Sequence, residues 1–186
     1  MSSKFPAVHM VLTGACGSGQ AAVAEHLSRL TGMAVADADT FHPATARRKI
    51  ATGQNLCSAD LTGQLHRMRD WIADRAVSGT STIVICPPLS RASRDLLREA
   101  EGVAALTGQD ATRLVFIELV TPGKAGPAPL EADEYGTSVD ASGHPEDVAE
   151  LVLDTVARMR SVRLVGTGSP SISDRLIAQA REAAEQ

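Results

Sequence analysis

Apolar positions change period repeatedly along the chain, and these changes divide it into short strands and longer helices. Val8 to Leu12 is a continuous apolar run that ends in Thr13-Gly14 and a glycine-rich turn, and Ala21 to Leu30 follows with helical spacing. Met33 to Ala36 reads as a second strand that opens into the polar turn Asp37 to Pro43. Ala44 to Ala51 is then a helix closed by Gly53. Leu61, Leu65, Met68 and Ile72 recur at helical spacing, which predicts an amphipathic helix over Asp60 to Ser78. Ser81 to Cys86 is rich in β-branched residues and apolar on both faces, the pattern of a buried parallel strand, and Pro87-Pro88 stops it. A helix over Ser90 to Glu101, a strand over Arg113 to Val120, a weak strand over Gly136 to Ala141 and a helix over Pro145 to Met159 complete the series. Between the last two strands, Thr121 to Glu134 shows no period and reads as loop. Such strand-helix alternation predicts an α/β fold around a parallel sheet.

The pattern fades after about Arg160, where Gly166 to Pro170 resembles a linker and Ser171 to Asp174 offers caps for a terminal helix to Ala184. The expected organisation is therefore one domain over 1–160 and a linker with a helical tail over 161–186. Leu176, Ile177 and Ala180 give that tail a thin apolar stripe, so it should dock on its own domain or join two copies as a homodimer.

Composition narrows the partners. The chain carries a net charge of −4, and aromatic residues make up 3% of it, which leaves neither a basic field nor stacking platforms for nucleic acid. No apolar run approaches the roughly 20 residues of a membrane span. The three cysteines, Cys16, Cys57 and Cys86, lack metal-ligand spacing, so no metal site is expected and reduced thiols in a cytoplasmic protein are.

Candidate chemistry begins at the first turn. Gly14-Ala15-Cys16-Gly17-Ser18-Gly19-Gln20-Ala21 stands between strand and helix, where G-x-x-x-x-G-K-[ST] lets backbone N–H groups cradle phosphates. Gly14, Gly17, Ser18 and Gly19 keep the loop. Gln20 replaces the phosphate-binding lysine, and Ala21 replaces the hydroxyl that would hold Mg²⁺. A glycine-rich turn for tight strand-helix packing is the structural alternative.

Further along come Asp37-Ala38-Asp39-Thr40-Phe41-His42-Pro43, then Lys49, Gly53 and Leu56, then Cys86, Leu89 and Arg94-Asp95-Leu96-Leu97-Arg98. Together these resemble the gluconokinases, small P-loop kinases related to shikimate and nucleoside monophosphate kinases. The resemblance covers about Val8 to Met159 with a gap. It implies a P-loop NTPase-like three-layer α/β/α fold with a five-stranded parallel sheet, and transfer of the ATP γ-phosphate to the 6-hydroxyl of gluconate. It also implies ATP and Mg²⁺ as cofactors, here expected to bind weakly. By the same resemblance Asp37 is the catalytic carboxylate, suited to Mg²⁺ or to the substrate hydroxyl proton. Asp39 and His42 would face the sugar acid, Arg94 would grip its carboxylate, and Lys49 is a further candidate. Each has a structural alternative: turn carboxylates for Asp37 and Asp39, a solvated helix face for Lys49, and a surface pair with Asp95 or Glu99 for Arg94.

The departures matter as much. Ala46 stands where the family has Asn, and Ala59-Asp60-Leu61 where it has an acidic pair and Arg. The span from Val120 to Glu134 has no room for the family's arginine-bearing lid, and Lys124 is its only cation. The expectation is a gluconokinase-like pseudokinase that binds a sugar acid or a phosphate-type anion. The alternatives are an active gluconate or related sugar-acid kinase, and a structural or regulatory partner subunit.

Overall fold

The computed structural model describes residues 7–15, 17–106, 112–121 and 128–166, with 160–166 as backbone alone. Five strands, β1 (Val8–Gly14), β2 (Ala34–Asp37), β3 (Thr82–Ile85), β4 (Arg113–Val120) and β5 (Gly136–Asp140), form one sheet in the order β2-β3-β1-β4-β5, all pairs parallel. The helices are α1 (Gln20–Thr31), α2 (Ala44–Ala51), α3 (Ser58–Val77), α4 (Arg91–Leu106) and α5 (Pro145–Gly166), and a short 3₁₀ turn spans Ala38–Phe41. The P-loop NTPase-like α/β fold is present.

Alternation along the central strands sorts their side chains between two faces. Val11, Val84, Leu114 and Phe116 pack with Met68 and Ile72 of α3 and Leu97 and Ala100 of α4 in one buried cluster. Met10, Leu12, Ile83, Val115 and Ile117 alternate with them and are equally buried. α1, which buries Val23, Ala24 and Leu27, packs on β1, β2 and β3. His9 lies fully buried within β1. Its Nδ1 is 2.7 Å from Thr82 Oγ1, and burial pushes its imidazole down to about 4.

Most element ends fall within two residues of the sequence reading, and two helix ends and one helix face depart from it further. α4 passes through Gly102 to Leu106, because Ala104 beyond the glycine is buried against the domain and outweighs the roughly 1 kcal/mol cost of glycine in a helix. α5 runs to Gly166, so the first residue expected in the linker ends the helix. Leu61 is 47% exposed, and the apolar face of α3 begins instead at the half-buried Leu65. The chain divides into two compact units, Met1–Val152 and Leu153–Gln186. The expected tail helix and Lys124 lie outside the described residues. Among those described, no helix is long and apolar enough to cross a membrane.

Candidate functional site

In a parallel sheet, ligands collect outside the carboxyl ends of the strands where the strand order reverses. Here β1 departs toward α1 between β3 and β4, and a crevice of about 260 Å³ opens at that end of β1, β2 and β3. Gly14 and Gln20 form one wall and Asp37 and Asp39 another, with Ile85 to Pro88 between them. The Pro87-Pro88 pair that stops β3 thus also builds the crevice, a role the sequence signals only as a strand end.

The turn that enters α1 has the backbone the sequence predicts. A Cβ on Gly14 would lie 2.6 Å from Ser18 Oγ and 2.7 Å from Leu119 O, so only glycine fits. Gly19 caps α1 in the left-handed region at φ 75° and carries no side-chain cap. Ser18 is buried and its Oγ has no partner. Free N–H groups at a helix start, with an unsatisfied hydroxyl beside them, suit an anion. They do not suit Mg²⁺·ATP. Gln20 is neutral and its Nε2 donates to Cys86 O at 2.9 Å, which ties the start of α1 to the end of β3. Ala21 offers no oxygen to a cation. Among the described residues no group of three or more His, Cys, Asp or Glu is placed to hold a metal.

Asp37 and Asp39 are both exposed, and each also serves the turn. Asp37 Oδ1 accepts the Asp39 N–H at 2.9 Å, and the Thr40 hydroxyl donates to Asp37 O at 2.7 Å, so the turn-carboxylate role coexists with a place in the crevice. His42 is 5% exposed, with Nε2 3.5 Å from Asp39 Oδ1 and Nδ1 without a partner. The Cys86 thiol beneath is pushed up to about 12, first by burial and then by the charges of Asp37 and Asp39.

Lys49 and Arg94 are not among the crevice walls. Lys49 Nζ donates to Asp60 Oδ2 at 2.6 Å, and the same oxygen accepts the Cys57 N–H at 2.9 Å at the start of α3. The Lys49 bond, then the Cys57 backbone, hold the Asp60 carboxyl down at about 2. Arg94, expected to grip a ligand carboxylate, already grips one of the chain's own. Its Nε donates to Glu134 Oε1 at 2.7 Å, and its other nitrogens reach the carbonyls of Leu89, Ala128 and Pro129. Arg98 donates to Glu134 Oε1 at 2.7 Å, and the Glu134 side chain is fully buried. Asp95 and Glu99, the partners weighed for Arg94, pair instead with Arg91 and Arg98, and with Arg69. Sequence reasoning missed Glu134 entirely, because forty residues separate it from Arg94 and no local pattern links them.

No family model matches the chain. It is 29% identical over 157 residues to a gluconokinase of Gluconobacter oxydans (strain 621H), a match covering 77% of this chain and 88% of that one. The solved structure of a sugar kinase from Janibacter sp. HTCC2649 superposes with a TM-score of 0.66 at 28% identity, over 82% of this chain and 95% of that one. A gluconokinase from Sinorhizobium meliloti 1021 superposes with a TM-score of 0.63 at 22% identity, over 89% and 99%.

Proposed function

Taking the chain as a homologue of the gluconokinases, we propose that it is a gluconokinase-like pseudokinase: it keeps the crevice for a small polyhydroxy ligand and is impaired in phosphoryl transfer. The observation that carries this reading is Gln20, neutral and bound to Cys86 O where the resemblance calls for a lysine on phosphate. A unit charge about 4 Å from a phosphate oxygen is worth on the order of 4 kcal/mol at an effective dielectric near 20, roughly three powers of ten in rate. Ala21 adds an independent loss at Mg²⁺. Arg91, which could stand in as a phosphate cation, is held by both oxygens of Asp133 at 2.8 and 3.0 Å. Between Val120 and Glu134 the sequence holds no arginine, where the resemblance calls for an arginine-bearing lid.

In this reading Asp37 and Asp39 are the ligand-facing carboxylates, His42 supports Asp39, and Gly14, Gly17, Ser18 and Gly19 retain weak affinity for an anion. Mg²⁺·ATP binds weakly, and the protein works in the cytoplasm by binding. The test is ADP release from ATP, Mg²⁺ and gluconate by the full chain. Release at the no-enzyme background is expected, and gluconate-dependent turnover of about 1 s⁻¹ or more, the lower end of ordinary enzymes, would reject the reading.

A further inference from the structure

The side-chain charges of the crevice, unlike the backbone turn at the start of α1, do not favour an anion. Three positions that would bring a positive charge to an acidic ligand are silent: Gln20 is neutral and engaged with Cys86 O, Lys49 is bound to Asp60, and Arg94 is enclosed by Glu134 and three carbonyls. The charged side chains that do line the crevice are Asp37 and Asp39, both acidic and both exposed. Arg47 and Arg48 of α2 are exposed but are not part of the walls.

We propose that this crevice selects a polyhydroxy compound without negative charge, a sugar alcohol or amino sugar alcohol, over the sugar acid of the same length. The proposal rests on the reading of the crevice as the ligand site and narrows the ligand class within it. Ionised carboxylates accept hydrogen bonds and donate none, so Asp37 and Asp39 suit ligand hydroxyl or ammonium donors. Gln20, which gives one of its two amide N–H groups to Cys86 O, brings a neutral amide whose oxygen is a further acceptor. Ile85, Pro87 and Pro88 supply apolar surface for the C–H faces of a polyol. Among the described residues of the walls, a ligand carboxylate would meet like charge and no free lysine or arginine.

Calorimetric titration of the full chain at pH 7.5 and low salt, with D-glucitol, 1-amino-1-deoxy-D-glucitol and D-gluconate, tests this. The amine should bind about tenfold tighter than gluconate, with glucitol between them, because one charge inversion beside exposed carboxylates is worth roughly that factor. Raising the salt to about 0.5 M should shrink the gap. The double change Asp37→Asn with Asp39→Asn, at two exposed positions, should shrink it to less than about threefold. Gluconate binding tighter than glucitol, a preference untouched by the double change, or no binding by any of the three would each overturn the proposal. Gluconate preference without ADP release would sink this proposal alone, whereas gluconate-dependent ADP release would sink the pseudokinase reading whatever the order of affinities.

Discussion

Along α4, three arginines and three acidic residues hold one another, whereas at the strand ends the two exposed carboxylates of the crevice have, among the described residues, the His42 imidazole 3.5 Å from Asp39 and no lysine or arginine on the walls. Arg91, Arg94 and Arg98 hold Glu131, Asp133 and Glu134, with Arg94 and Glu134 removed from solvent. Asp37 and Asp39 stand exposed beside a neutral glutamine. The contrast shows that residue type does not fix use: Arg94 and Lys49, which the resemblance to gluconokinases assigns to a ligand, are both committed to holding the chain's own segments together. Buried pairs are demanding, since each charge depends on its partner, while exposed carboxylates cost little and remain open to ligand.

The largest expected effect breaks the saturated side. Glu134→Ala leaves Arg94 buried and unpaired, and should lower unfolding free energy by about 3 to 5 kcal/mol in a urea titration. Arg94→Met together with Glu134→Leu should lose much less, because it removes both charges. A Glu134→Ala loss near that of an ordinary surface substitution would show the cluster to be solvated.

Acid separates this cluster from the rest of the core. Burial works to raise the Glu134 carboxyl, but the Arg94 bond, the Glu131 N–H and Arg98 hold it down at about 2 against an ordinary 4.5. Its stabilisation is complete above about pH 4.5 and is lost as the pH falls toward 2. His9 acts in a different window. With its imidazole held near 4 against 6.5, the unfolded chain takes the proton first, so stability should fall by roughly 3 kcal/mol between pH 6.5 and 4. Urea titrations across pH should therefore show two limbs, and Glu134→Gln should flatten the lower one only. A single limb confined below pH 4.5 would contradict the buried, neutral His9.

Placing a cation at the start of α1 is a smaller change. Gln20→Lys with Ala21→Ser should tighten Mg²⁺·ATP by about tenfold, roughly 1.4 kcal/mol, if the glycine turn is intact. Gluconate-dependent ADP release should stay at background in the pseudokinase reading, since the sequence from Val120 to Glu134 carries no arginine for the phosphoryl group. Robust turnover by this variant would point to Lys124 or another base as a substitute. The smallest effect should come from Lys49→Met: a slight drop in Tm from loosening the Asp60 contact, and no change in gluconate affinity. A marked loss of gluconate affinity would return Lys49 to the site.

How much of this was legible follows from the range of each interaction. β4 is found at the residues its apolar run predicts, and α2 likewise, because their signals are local. Local sequence likewise nominated the glycine turn and the Asp37-to-Pro43 segment, and Gly14, Gln20, Asp37 and Asp39 meet at the crevice. What stayed hidden is long-range: the bond from Gln20 to Cys86 across sixty-six residues, and the enclosure of Arg94 by residues some forty positions on. Spacing can nominate an arginine for a ligand, but only the fold shows that Glu134 reaches it first.

The most direct test of the account is calorimetric titration of Mg²⁺·ATP into the unmodified chain. Since Gln20 brings no charge and Ala21 no ligand, the account predicts a Kd weaker than about 1 mM, with no gain when Mg²⁺ is added. Micromolar affinity that depends on Mg²⁺ would contradict it.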